Sequence, residues 1–144
     1  MGVSLTTSNM FVENKINVNQ DLVELESVDV GEGIQSWNFD TNQTETTIVT
    51  EKDVRVAEES EVWYIRAGEH KASLTVFHKV PINIDGEWSE VPVNEIPENA
   101  SIQTFEGLRG CVAQLQDDHT SGTEVVTLKT ESGYYFTNNI LVCD

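Results

Sequence analysis

Short runs in which apolar and polar residues alternate, separated by Gly, Asn, Asp, Ser or Thr, recur along this chain from residue 11 to residue 143. A period of two is the signature of a half-buried strand, and no stretch carries a helical period over helical length. The alternation predicts strands around 11–18, 22–30, 36–39, 46–50, 54–57, 62–65, 72–84, 87–93, 102–105, 111–115, 123–130, 134–137 and 140–143. That many segments would leave one face of a lone sheet uncovered, so two layers or a closed sheet are required. The expected fold is all-β: one antiparallel β-sandwich or barrel-like domain of about ten or more short strands. It spans residues 1–144, with a loop between halves near 92–100.

Turn chemistry sharpens the expectation at two places. Asp85-Gly86 supplies the pair of positive φ angles that a two-residue hairpin demands, and Ile82, Ile84 and Trp88 are expected to pack together around it. Pro81 and Pro92, which cannot donate to a ladder, place this hairpin at a sheet edge. Glu131-Ser132-Gly133 predicts a second turn between 125–130 and 134–136, a three-residue loop with Gly133 in the left-handed position. Residues 53–71 permit a helix by propensity, but Val54 with Val56 and the run Val62-Trp63-Tyr64-Ile65 favour a hairpin around Glu58-Glu59-Ser60-Glu61.

The charge excludes one class of partner. Eight Lys and Arg against 25 Asp and Glu leave a formal charge of −17, which disfavours any partner held mainly through phosphates. No Lys or Arg occurs between Ile16 and Glu51, while Asp21, Glu24, Glu26, Asp29, Glu32, Asp40, Glu45 and Glu51 do, so this stretch is expected at the surface. No secretory signal or bilayer-length apolar run is present, which points to synthesis in a cytoplasm without export and to no membrane partner. Met1-Gly2 formally fits a myristoylation pattern without a second anchor, and the sequons at Asn42 and Asn99 read as turns. Cys111 and Cys143 sit in apolar runs as reduced, buried residues, with a disulfide as the alternative.

Catalytic signatures are absent: there is no GxSxG, HExxH, P-loop lysine motif or CxxC, and Gly31-Glu32-Gly33 is not completed into a dinucleotide fingerprint. His70, His78 and His119 are the available neutral-pH bases; His78 reads as a structural histidine in an apolar strand and His70 as solvated. Asp117-Asp118-His119 is the nearest approach to a metal cluster, but adjacent residues of an extended chain diverge, so a turn is preferred. A calcium loop around Asp85 fails because prolines fill its first and last ligand positions. The paired aromatics Trp37 and Phe39, Trp63 and Tyr64, and Tyr134 to Phe136 are assigned to the core, with a sugar- or protein-binding face as the alternative.

By elimination the chain is expected to be no enzyme, with no catalytic, cofactor-binding or metal residues. The expected role is a structural component of a phage virion, such as a capsid decoration or head-tail protein, multi-copy and exposed on the particle exterior. Its contacts with other virion subunits are expected at His70, Lys71, Lys79, Trp88 and Arg109. A cation- or carbohydrate-binding β-sandwich and an acidic DNA-mimic inhibitor are the alternatives.

Overall fold

The computed structural model describes residues 10–11, 14–19, 21–56, 61–117 and 124–144. Its strands are, in chain order, β1 (Met10–Phe11), β2 (Lys15–Val18), β3 (Asp21–Glu24), β4 (Gly33–Asn38), β5 (Gln43–Val56), β6 (Val62–Ala67), β7 (His70–Thr75) and β8 (Lys79–Ile84). There follow β9 (Glu87–Pro92), β10 (Ser101–Thr104), β11 (Gly107–Gly110), β12 (Val112–Asp117), β13 (Glu124–Thr130), β14 (Tyr134–Thr137) and β15 (Ile140–Cys143). Two short 3-10 turns, Leu25–Ser27 and Val93–Glu95, are the only helical pieces among the described residues. The all-β expectation holds.

The strands form two antiparallel sheets. One runs β12-β6-β7-β1-β13-β5-β4; the other runs β3-β2-β14-β15-β10-β8-β9, with β11 beside β10. Met10, Ile65, Leu74 and Leu128 from the first sheet and Ile16, Ile82, Ile102 and Tyr135 from the second meet in one buried cluster. Alternation places these residues, because a strand sends every second side chain to one face, while β15 is buried at all four positions and so is covered on both faces. The acids between residues 16 and 51 lie outside: all eight are exposed except Glu45, which is half-buried.

Strand β5 is a single 14-residue strand where sequence suggested two. Its first part pairs with β4 (Gly33↔Ile48) and its second with β13 (Val49↔Thr130), so a change of partner replaces the expected break. Strands β5 and β6 do not pair with each other, which removes the hairpin expected around 58–61; residues 57–60 themselves lie outside the described set. The predicted strand over 72–84 is instead β7 and β8, which belong to different sheets.

The Asp85-Gly86 hairpin forms as expected, with φ of 52° and 87°, and β9 is a sheet edge. Trp88, however, is not beside Ile82 and Ile84. It pairs with Asn83, while Ile82 faces Ser89 and Ile84 faces Glu87, so a two-residue turn sends the indole to the face that also carries Pro81. The Glu131–Gly133 turn also forms, with Gly133 at φ 86°, but it carries the chain from β13 in one sheet to β14 in the other and makes no hairpin. Residues 92–100 contain the second 3-10 turn, with Val93 and Ala100 buried.

Candidate functional site

Two crossings between the sheets converge on the end of β15. The first is the turn from β7 to β8, closed by the His78 amide donating to the Thr75 carbonyl at 3.0 Å. The His78 carbonyl in turn accepts from the Val93 amide at 2.9 Å, which fixes the residue from both sides. Its ring is fully buried, and Nε2 lies 2.7 Å from the backbone carbonyl oxygen of Cys143. A carbonyl can only accept, so Nε2 carries the proton and points it at the peptide group between Cys143 and Asp144.

The second crossing holds Asp144. Its amide donates to the Gly133 carbonyl at 2.9 Å, and its Oδ2 accepts from the Thr130 amide at 2.8 Å. Thr130 Oγ1 accepts from the Gly133 amide at 3.1 Å, so the turn that carries the chain between sheets also builds the cradle for the Asp144 carboxylate.

The Cys143 thiol is buried and faces Glu90, whose Oε2 also accepts from the Tyr134 hydroxyl. Burial raises the thiol's pKa above the ordinary range, and the Glu90 charge adds to the shift. The Tyr134 phenol is raised by burial first and by Glu90 second. Both groups are therefore neutral donors around an anion. Phe39, Pro81, Trp88, Ser89, Glu90 and Tyr134 line an adjoining cleft of about 210 Å³.

One reaction type suits this arrangement. Attack on the Cys143 carbonyl carbon places negative charge on the oxygen that His78 addresses, in a site where burial strengthens the interaction. Among the described residues no group of three or more His, Cys, Asp or Glu side chains is arranged to hold a metal.

The 144-residue chain matches solved structures along nearly its whole length. An intein-like domain from Clostridium thermocellum superposes with a TM-score of 0.77 at 18% identity, covering 94% of this chain and 98% of that one. The fold is the intein fold. An intein from a hyperthermophile gives 0.75 at 15% identity over 94% and 99% of the two chains, and the DnaB intein of Synechocystis gives 0.71 at 16% over 95% and 98%. No protein-family model and no curated protein matches the sequence.

These neighbours overturn the expected role. Inteins are self-splicing, autocatalytic domains, so an intein fold conflicts with a non-enzymatic capsid decoration or head-tail protein on a virion exterior. The signatures used for elimination are contiguous motifs, and their absence says nothing about groups that meet only in space.

The residues expected to touch partners scatter. His70 pairs with Glu106 at 2.9 Å and lies 3.3 Å from Asn139. Lys71 sits 4.4 Å over the Tyr64 ring, Arg109 donates to the Leu108 carbonyl, and Lys79 is exposed on β8. Trp88 alone lines the cleft beside Cys143. Asp118 and His119 lie outside the described residues, and Asp117 closes β12. His78, read from sequence as structural, is the residue aimed at a peptide carbonyl. Its one sequence signal is a histidine closing a turn after an apolar strand, which means nothing until Cys143 arrives from 65 residues away.

Proposed function

We propose that this chain is a self-processing domain that cleaves its own backbone at the Cys143–Asp144 peptide bond. The observation that carries the reading is the buried 2.7 Å contact from His78 Nε2 to the Cys143 carbonyl oxygen. In this reading His78 polarises the carbonyl and stabilises the developing oxyanion, while the proton the departing amide nitrogen needs comes from water, the reagent that then hydrolyses the acyl link. The nucleophile is the Asp144 carboxyl group, the side chain next in sequence to the reacting carbon. The acyl link it forms is an anhydride, which water hydrolyses, so cleavage is the outcome rather than ligation.

The likeness to self-splicing domains supports a backbone reaction of this kind. One further structural neighbour, a split intein in which a cysteine and an asparagine are replaced by alanine, is a splice-inactive variant, so reaction in that protein is tied to particular side chains. The test is to express the chain with a peptide extension after Asp144 and to follow intact mass with time. A product ending at Cys143, formed by the parent and not by His78→Ala, is the expected result. Cleavage after Asp144 would move the reacting carbonyl away from His78, and an unchanged mass would remove the activity altogether; either overturns the proposal.

A further inference from the structure

The cleft beside Cys143 has the composition of a cation pocket. Phe39 packs edge-on against two rings, with centroids 4.9 Å from Trp88 at 71° and 5.0 Å from Tyr134 at 70°. Rings set nearly at right angles form walls rather than a stack, and the faces of such walls carry partial negative charge. Glu90 adds a full one. Its two neighbours, the Tyr134 hydroxyl and the Cys143 thiol, are neutral donors, and among the described residues Glu90 forms no ion pair. Lys79 is near enough to act on the Cys143 thiol but is not paired with Glu90.

We propose that this cleft binds an alkylammonium group of the kind a lysine side chain carries. Aromatic faces attract such a cation, and the carboxylate supplies its counter-charge. The volume of 210 Å³ falls below the roughly 300–1,000 Å³ that drug-sized ligands occupy, so the occupant is one side chain or a small amine. The choice of ammonium over guanidinium follows from Glu90. Its Oε2 accepts from Tyr134 and the Cys143 thiol also donates to this carboxylate, so the acceptor sites that remain suit a point donor better than the two-pronged fork of an arginine.

Whether the ammonium belongs to polypeptide joined at Asp144 or to a free amine is a question of source. The site goes beyond the cleavage reading and does not require it, so it is measured on the His78→Ala chain. N-acetyl-lysine methylamide and its norleucine counterpart are titrated while the Trp88 indole signal is followed by nuclear magnetic resonance. The lysine compound should saturate that signal and the norleucine compound should bind about tenfold more weakly, a gap of about 1.4 kcal/mol. Glu90→Gln should weaken lysine binding by a similar factor. Tyr134→Phe, which keeps the ring and frees Oε2, should let the arginine analogue gain on lysine.

A second arm fuses a short linker carrying lysine after Asp144, with methionine in its place as control. Exclusion of the free probe by the lysine linker alone assigns the ammonium to attached polypeptide, and undiminished probe binding assigns it to a free amine. Equal binding of the norleucine and lysine compounds, or no response at millimolar concentration from a folded protein, overturns the site.

Discussion

The ring of His78 and the backbone carbonyl of Cys143 are both buried, and they satisfy each other at 2.7 Å. A buried carbonyl that loses its donor costs about 1–3 kcal/mol, and truncating the ring leaves a cavity as well. His78→Ala should therefore lower stability by about 2–4 kcal/mol. His78→Gln, which keeps a donor at similar reach without the ring, should restore part of it. Urea midpoints at constant m-value are the measurement, and a loss below about 0.5 kcal/mol would mean the contact holds nothing together.

Alkaline pH should destabilise the fold. Burial lifts the Cys111 thiol from 9.0 to about 11 and shifts Cys143, Tyr134 and Tyr135 in the same direction. Below pH 9 the Cys111 thiol is protonated in both states and pH has no leverage through it. Between about 9 and 11 the unfolded chain gives up that proton first, so the folded state binds more protons and loses stability as pH rises. Urea midpoints should fall across that window, and Cys111→Ala should make the fall shallower. A flat profile would contradict the burial of these groups.

Lys52 holds the first 3-10 turn in place. Its Nζ donates to the carbonyls of Leu25 at 3.1 Å, Glu26 at 3.4 Å and Val28 at 2.7 Å, and so supplies the donors that Leu25–Ser27 cannot supply itself. Lys52→Met keeps most of the stem and removes the charged donor, and it should cost about 2 kcal/mol. Thermal or urea unfolding checks the loss, and an unchanged midpoint would show that water replaces the ammonium at no cost.

Local chemistry was legible in the sequence and partner choice was not. Asp85-Gly86 and Glu131–Gly133 carry equally good turn signals, and both turns form. Only the first joins paired strands, because a turn fixes a change of direction and leaves open which sheet the outgoing strand joins. The parity of the two-residue hairpin, which places Trp88 opposite Asn83, follows from the sequence by counting back from the turn. The meeting of His78, Glu90 and Cys143 does not, since it requires β15 to lie beside β10 and β10 beside β8. Nothing local in any of those strands encodes that order.

Asn138 supplies the last prediction, because it ties the two sheets together at the start of the strand that carries Cys143. With φ of 48° it opens the turn between β14 and β15, followed by Asn139 at 68°. Its Oδ1 accepts from the Lys15 amide at 2.8 Å in its own sheet, while Nδ2 donates to the Lys71 carbonyl at 2.8 Å on β7 of the other. Nδ2 is also 3.4 Å from Asn14 Oδ1. Asn138→Gly accepts the same backbone angles without strain, so its effect isolates these side-chain bonds from the turn itself. The loss should be about 2–3 kcal/mol, of which roughly 0.5–1 comes from the freer unfolded chain. Asn138→Asp keeps the acceptor for Lys15 and loses both donations, so it should fall between the parent and the glycine variant. Amide exchange along Ile140–Cys143 reads the tie directly: the glycine variant should speed exchange there more than along β6. Uniform acceleration across both sheets would mean that Asn138 contributes to global stability without anchoring β15.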